Sequence, residues 1–178
     1  FVRTMGTDGN ALHLDMWNAE GVEANLVASK LTTKGARSAG VYAHGNGVKV
    51  EIDGASSIST SGDYAPGVRA YEGASIKSAG KISTLGRGAH GVEANGATVN
   101  LQGGSITTGS AEAYGVSLQR AGAVSSIEGT SIKTTGDSAH GVYASNTTLT
   151  LNNVKVDTSG TYTAVNGWLS SDSSYGIL

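Results

Sequence analysis

The sequence lacks cysteine altogether and has few charged or aromatic residues among its 178 positions. Without cysteine, a disulfide scaffold, a thiolate zinc site and a cysteine nucleophile are all excluded. Charged residues make up 15% of the chain, against roughly 25% in ordinary globular proteins. The net charge of −2 gives no reason to expect nucleic acid or an anionic membrane as a partner. No apolar run approaches the roughly 20 residues of a membrane-spanning helix.

Glycine is abundant, with 27 residues, and it belongs to a repeat that runs along most of the chain. One column of this repeat holds threonine seven times, at intervals of 24 to 29 residues. An aliphatic residue stands two positions before each threonine, and a glycine stands two positions after it in six of the seven cases. The threonines are Thr4, Thr33, Thr60, Thr84, Thr108, Thr134 and Thr158. A fixed period of this length is typical of a repeat architecture.

A second block, Gly-Val, begins seven residues after the threonine in five of the units. The distance from this block to the next threonine varies, whereas the distance from threonine to the block does not. The five copies are Gly40-Val41, Gly67-Val68, Gly91-Val92, Gly115-Val116 and Gly141-Val142. Length variation confined to one part of each unit predicts stacked coils with a fixed, packed corner and variable loops elsewhere.

Within each unit, polar and β-branched residues alternate over short stretches, as in residues 48–52 and 98–101. This alternation, bounded by glycine and by Asn or Asp, predicts short strands and tight turns, and no window shows helical spacing with caps. Two or three strands per unit predict an all-β fold: a right-handed parallel β-helix of about seven coils of 24–29 residues. Successive coils should lie about 4.8 Å apart.

The repeat also predicts the core. The aliphatic residue before each threonine and the valine of each Gly-Val block should form inward ladders, with a column of alanines suited to a narrow interior. The threonine shares its parity with the aliphatic residue, so we expect an inward or corner ladder whose hydroxyls bond to neighbouring coils.

The whole chain, residues 1–178, is predicted to be one β-helical segment. Neither end resembles a cap, and solenoids need capped ends. Residues 161–174, which include Trp168, interrupt the repeat and are expected to form an insertion loop. We therefore expect a fragment of a longer rod.

The Thr-x-Gly corner followed by Ala-His-Gly-Val, as in residues 89–92 and 139–142, resembles the passenger domains of bacterial autotransporters, especially pertactin-like ones. The resemblance runs from about Val2 to Gly160. It implies a β-helical segment exported across two membranes to the surface of a Gram-negative cell, where such passengers act in adhesion, aggregation, biofilm formation and virulence. It also implies outer-membrane anchoring only through a C-terminal barrel that this sequence does not include. The absence of cysteine fits the family.

The outward positions of the Gly-Val strand combine aromatic and polar side chains on a rigid sheet. Rings supply apolar contact area at low entropic cost, which suits recognition of a glycan or a protein. An ordinary solvated face is the alternative. The candidate ligand-binding residues are Tyr42, His44, Arg69, Tyr71, Glu93, Asn95 and Tyr143.

His90, Tyr114 and His140 occupy the position before glycine in three successive coils. Their side chains should stack about 4.8 Å apart. A metal or catalytic site is one interpretation, and a corner ladder of planar side chains is the favoured one. The two histidines are two coils apart and tyrosine is a poor zinc ligand. The sequence therefore predicts neither a metal site nor a catalytic residue here.

These features predict a non-enzymatic cell-surface adhesin or self-association segment that binds a host protein, a glycan or a neighbouring passenger. No cofactor and no nucleic acid are expected. Self-association would use outward polar ladders such as Asn100/Gln102 and Ser125/Glu128. One alternative is a β-helical carbohydrate-active enzyme, similar to a polysaccharide lyase, which needs clustered carboxylates for calcium and a basic residue. The other is an inert structural stalk.

Overall fold

The computed structural model describes residues 1–16, 21–120 and 124–160 together with Ile177. These residues form 19 short strands and no helix. The strands fall into three sheets in which every pairing is parallel, and each strand pairs with the strands three places before and after it in the chain. The predicted all-β parallel β-helix is therefore confirmed, with three strands in each coil.

Sheet A contains the seven strands that carry the threonine column, and sheets B and C contain six each. The strands of sheet A are β1 (Val2–Thr4), β4 (Lys30–Thr33), β7 (Ser57–Thr60), β10 (Lys81–Thr84), β13 (Ser105–Thr108), β16 (Ser131–Thr134) and β19 (Lys155–Thr158). Those of sheet B are β2 (Leu12–Asp15), β5 (Val41–His44), β8 (Val68–Tyr71), β11 (Val92–Asn95), β14 (Val116–Gln119) and β17 (Val142–Ser145). Those of sheet C are β3 (Glu23–Leu26), β6 (Lys49–Ile52), β9 (Ser75–Ser78), β12 (Thr98–Gln102), β15 (Val124–Glu128) and β18 (Thr148–Asn152).

The number of complete turns is about six, slightly fewer than the seven predicted. Seven threonines mark seven strands of sheet A, but β19 is not followed by further strands of sheets B and C among the described residues. Ile177 makes a parallel bridge with Val142, the place where a further Gly-Val block would pair. The predicted insertion loop, 161–174, lies outside the described residues.

The registers show why the aliphatic columns form one continuous core. In sheet A, Ile82 pairs with Ile58 on one side and Ile106 on the other, and in sheet B Val92 pairs with Val68 and Val116 in the same way. All six side chains are buried. Each coil thus covers the apolar surface of the next, so the rod is stabilised by contacts between neighbouring coils.

The threonine ladder faces inward as predicted, but its hydrogen bonds do not run between coils. The Thr84 Oγ1 hydroxyl donates to the Ala89 carbonyl at 2.6 Å, five residues later in the same coil. The same bond recurs from Thr33, Thr60, Thr108 and Thr134. The chain turns sharply after sheet A, which brings a carbonyl of the corner inward to the threonine. Each hydroxyl therefore closes the corner of its own coil.

A second feature of this corner is a left-handed residue four positions after the threonine. The backbone φ at this position is between 52° and 60° in six coils, and only one of the six residues is glycine. They are Asp8, Arg37, Tyr64, Gly88, Glu112 and Ser138. Non-glycine residues tolerate this conformation at a cost of roughly 1–2 kcal/mol each. The corner therefore demands the conformation whatever side chain it carries.

One of the predicted polar ladders is misplaced. Asn100 pairs with Ser126 in the register of β12 and β15, and the Ser126 hydroxyl donates to Asn100 Oδ1 at 2.9 Å on the outer face. Ser125 has the opposite parity, is buried, and accepts a hydrogen bond from the Val99 backbone N–H. Ser125 therefore belongs to the interior and cannot serve an outward ladder.

Candidate functional site

The outer face of sheet B begins with a group of charged and aromatic residues on β2, β5, β8 and β11. The register places Tyr42 beside Arg69 and Arg69 beside Glu93, while His44 stands beside Tyr71 and Tyr71 beside Asn95. Six of the seven predicted ligand-binding residues are therefore neighbours on three successive strands. Sequence spacing predicts this because the Gly-Val blocks lie in register from coil to coil.

Six residues of this group form two hydrogen-bonded sets, Asp15–His44–Glu72 and Arg69–Glu93–Tyr71, which together we call the ionic network. Glu93 accepts from Arg69 Nε at 3.0 Å and from the Tyr71 hydroxyl at 2.8 Å. Burial, together with the charge of Glu93, raises the pKa of Tyr71 to about 12. Tyr71 is thus a neutral hydrogen-bond donor at physiological pH, and the network is rigid because its polar groups hold one another.

His44 links two carboxylates in the same network. Its Nδ1 lies 2.8 Å from Asp15 Oδ1, and its Nε2 lies 3.1 Å from Glu72 Oε2. The hydrogen bond to Asp15, and secondarily the one to Glu72, raises the pKa of His44 above its usual 6.5. Both carboxylates favour the imidazolium form, because the ring can donate a hydrogen bond to both of them at once only when both nitrogens are protonated.

Two aromatic rings fill the space beside the ionic network. Tyr42 meets Tyr71 edge to face, with the ring centroids 6.1 Å apart, and lies 4.5 Å from the ring of His13. Asn95 also borders this area, and its Oδ1 is buried without a hydrogen-bond partner. These side chains present apolar ring surface among fixed charges.

Tyr143 does not belong to this group. It lies on β17 and contacts a second set of rings, which we call the ring ladder: His90, Tyr114, His140 and Tyr143. The centroids of His90 and Tyr114 are 4.8 Å apart, and those of Tyr114 and His140 are 4.7 Å apart. Tyr143 lies 5.8 Å from Tyr114. The predicted stack at the corner is confirmed, and its spacing is that of the coils.

The ring ladder forms one wall of a groove of about 460 Å³, here called the ladder groove. Its lining residues are Tyr64, Gly88, His90, Glu112, Tyr114, Gln119, Ser138 and His140. This volume lies within the 300–1,000 Å³ range of small-molecule binding sites. The groove combines ring faces with an acid, an amide and a hydroxyl, so it can offer both stacking and hydrogen bonds.

Tyr64 lines the groove from the coil before His90. Its side chain is 50% exposed and belongs to the left-handed column at the corner. A Cβ on Gly88 in the next coil would lie 2.7 Å from the Tyr64 ring, so the ring extends over a glycine that makes room for it. The φ of 55° at Tyr64 is shared by the whole corner column, so Tyr64 differs from its counterparts by its exposed ring and not by its backbone.

His90 is neutral in this setting. Burial lowers its pKa below 6.5. The Tyr114 backbone N–H donates to His90 Nδ1 at 3.0 Å, so this nitrogen must be an unprotonated acceptor and the ring proton resides on Nε2. His90 therefore presents a neutral imidazole to the ladder groove.

The opposite pKa shifts of His44 and His90 give opposite pH dependence of stability. The pKa of His44 is raised on folding, so its contribution is complete below pH 6.5 and is lost as pH rises through its folded pKa. His90 favours folding when neutral, so its contribution is lost as pH falls below 6.5. We expect His44→Gln to lower the melting temperature more at pH 5 than at pH 8, and His90→Gln to do the reverse.

Thermal unfolding of both variants and the wild type between pH 5 and 8 measures this difference. Ring-proton NMR titration supplies an independent check, with the His44 midpoint expected above 6.5 and the His90 midpoint below it. Equal midpoints for the two rings would show that the contacts described here do not set their protonation.

The ligand-binding residues predicted from the sequence lie on the outer face of sheet B, and His90, Tyr114 and His140 were predicted to form a structural stack. The structure brings together Tyr42, His44, Arg69, Tyr71 and Glu93, but the larger groove lies at the ring ladder. Tyr64, Glu112 and Gln119 were not singled out. One sequence feature could have indicated Tyr64: it is an aromatic residue four positions after its threonine, and it lies one coil before His90 in the same groove.

No protein family, no curated protein and no solved structure matches this chain. Among the described residues, no group of three His, Cys, Asp or Glu side chains could hold a metal ion. The same part of the chain contains no helix long and apolar enough to cross a membrane.

Proposed function

We propose that this β-helix is a non-enzymatic recognition segment of a bacterial cell-surface adhesin of the autotransporter passenger type. Its ligand would be a glycan or a protein on a host cell or on a neighbouring cell. The observation that carries the proposal is the ladder groove, in which stacked rings from three coils border an open space of about 460 Å³. The parallel β-solenoid is compatible with a passenger domain.

Two features of the site support binding rather than a solely structural role. Tyr64 is half exposed, so its ring is available to a ligand and contributes little to the core. The groove also follows rigid strands, so a ligand would meet rings and polar groups that are already in place, which reduces the entropy lost on binding. Aromatic faces beside polar groups suit sugar rings, which present apolar faces and hydroxyl edges.

The ionic network on the same sheet stays a candidate for the remainder of the contact surface. Its charges are mutually bonded, so it offers ligands the rings of Tyr42 and Tyr71 more readily than free charge. A ligand that extends along the rod axis from the ladder groove would reach Glu93 first and the Tyr42 region afterwards. This arrangement favours an extended partner, such as an oligosaccharide or a peptide strand.

A test of this proposal compares Tyr64→Asn with Leu85→Asn on a glycan array and on intact host cells. Both replace a large exposed side chain with asparagine, and Leu85 lies outside the ladder groove. We expect Tyr64→Asn to weaken binding about tenfold or more, since ring stacking contributes 1–3 kcal/mol in comparable contacts with bases. Its stability should be unchanged or higher because asparagine tolerates positive φ.

Leu85→Asn should bind as the wild type does. Equal binding by both variants and the wild type would contradict a role for the ladder groove.

Incubation with polysaccharides, with and without calcium, tests the enzyme alternative, since a lyase would release unsaturated products. In-frame deletion of coils two to five from the protein displayed on cells tests whether the segment is an inert stalk. Unchanged adhesion would show that these coils act only as a spacer.

A further inference from the structure

The outer side of sheet A has an uneven distribution of charge. Six of the chain's 12 Lys and Arg residues lie on the strands of sheet A or directly after one. Only one of the 14 acidic residues, Asp157, lies at such a position. All six cationic side chains are exposed. We call them the cationic row: Arg3, Lys30, Lys34, Lys81, Lys133 and Lys155. A chain with a net charge of −2 thus concentrates positive charge on one of its three faces.

The cations of the row differ from the others in their pairing. Of the six remaining Lys and Arg residues, five have an acidic partner within 4.0 Å: Arg37, Lys49, Arg69, Lys77 and Arg87. Within the described ranges, no ion pair involves a member of the cationic row. Even Lys133 and Asp157, which are register partners, form none. The row is therefore free to pair with an external anion.

The row is also regular along the rod. Lys30 and Lys81 stand on alternate coils in one outward column, and Lys133 stands two coils further in the neighbouring outward column, beside Thr107. The coils between them present only hydroxyl groups outward, such as Ser57 and Ser105. Two coil steps span about 10 Å. A linear ligand that follows the rod axis would thus meet a cation about every 10 Å, with serine or threonine hydroxyls in between.

We propose that the cationic row binds an acidic polysaccharide, carboxylated or sulfated, that lies along the rod axis. Such a polymer can carry one charge per disaccharide and presents hydroxyls between its charges, which matches alternating lysines and hydroxyls. Ammonium groups act as point charges for carboxylate or sulfate oxygens. The row lies on a different sheet from the ladder groove, so this inference is independent of the proposed function.

Nucleic acid and a membrane surface fit the row less well. Duplex DNA carries a charge about every 1.7 Å, far denser than the lysines, and single-stranded binding uses aromatic stacking platforms. The only aromatic residue on the strands of sheet A or directly beside them is Phe1, at the first coil. Interfacial membrane binding needs a continuous apolar surface beside the cations. The outward positions of β4, β7, β10, β13 and β16 are all polar, and the exposed Met5 and Leu85, directly after β1 and β10, are three coils apart.

The experiment is equilibrium binding of the purified chain to immobilised hyaluronan, which carries one carboxylate per disaccharide, and to dextran sulfate, with neutral dextran as the comparison. The variant Lys30→Gln/Lys81→Gln/Lys133→Gln should bind both acidic polymers about tenfold more weakly, since exposed ion pairs contribute 0.2–1 kcal/mol each. The control Lys49→Gln/Lys77→Gln/Arg120→Gln changes the net charge equally on other faces and should retain wild-type affinity. Binding should weaken with added salt.

Several results would overturn the inference. They are an equal loss in the control variant, equal binding to neutral dextran, and no binding to either acidic polymer. Tighter binding to single-stranded DNA or to vesicles of anionic phospholipid would assign the row to another partner. Tyr64→Asn should leave dextran sulfate binding unchanged, so failure of this inference and failure of the proposed function are separable. All substituted residues are exposed, and circular dichroism confirms that each variant is folded.

Discussion

Replacement of Gly62 by alanine should destabilise the protein by about 2–3 kcal/mol, as overpacked sites do. A Cβ at this position would overlap the carbonyl oxygen of Gly35 and lie 2.8 Å from the Ala36 nitrogen, both in the preceding coil. The φ of Gly62 is not in the left-handed region, so the penalty is steric and does not come from backbone conformation. Glycine is favoured at position 62 because the backbone of the preceding coil occupies the space that a Cβ would take.

Gly6→Ala is the matched control, because Gly6 occupies the same column but has nothing within 4 Å of an added Cβ in this chain. Its effect should stay within about 0.5 kcal/mol. Ser110 has a Cβ in the same column of one coil, so the stack can adjust, and we expect Gly62→Ala to fold with reduced stability. Urea unfolding followed by circular dichroism gives both free energies. Equal effects at the two glycines would refute the steric explanation.

Thr84→Val should cost about 1–3 kcal/mol, the usual penalty for a buried polar group that loses its partner. Thr84 is completely buried, and its hydroxyl is the donor to the Ala89 carbonyl at the corner. Valine keeps the shape and the β-branching but cannot donate, so the carbonyl would remain buried without this hydrogen bond. Thr84→Ser keeps the hydroxyl and should lose less stability than Thr84→Val.

Thr4 provides the comparison for this second substitution. Its Oγ1 is buried and has no hydrogen-bond partner, so Thr4→Val removes no bond. We expect Thr4→Val to leave the free energy of unfolding unchanged or to raise it. Urea unfolding of the wild type, Thr84→Val, Thr84→Ser and Thr4→Val measures the four free energies of unfolding. A loss at Thr4 as large as that at Thr84 would mean that threonine acts through packing rather than through its hydroxyl.

The fold was predictable because each coil repeats the same few requirements. Ile82, Thr84 and Gly86 are fixed by what lies directly above and below them, and so are their counterparts in other coils. The sequence therefore shows columns that reveal the stacking. The acceptor of the threonine hydroxyl was predicted wrongly because periodicity identifies which residues stack, whereas the acceptor depends on how the corner bends.

The binding site was less accessible to prediction for a related reason. The residues four positions after the threonine share a backbone conformation but no side-chain chemistry, so no column marks them. Tyr64 acquires its place at the ladder groove only because Gly88 in the next coil leaves room for its ring. Ser125 was wrongly predicted to face outward because the short stretch of β15 does not show from sequence which of its residues point inward. In the structure Val124 is exposed and Ser125 is buried.

The left-handed corner position has a consequence for how such a protein can change. Its six occupants include two acids, a base, an aromatic residue, a hydroxyl and glycine, all with nearly the same φ. The backbone there is held by the threonine hydroxyl and by hydrogen bonds to the next coil, such as the one from the Arg37 N–H to the Asp63 carbonyl. Mutation at this row can therefore diversify surface chemistry one coil at a time, while the scaffold that displays it stays the same.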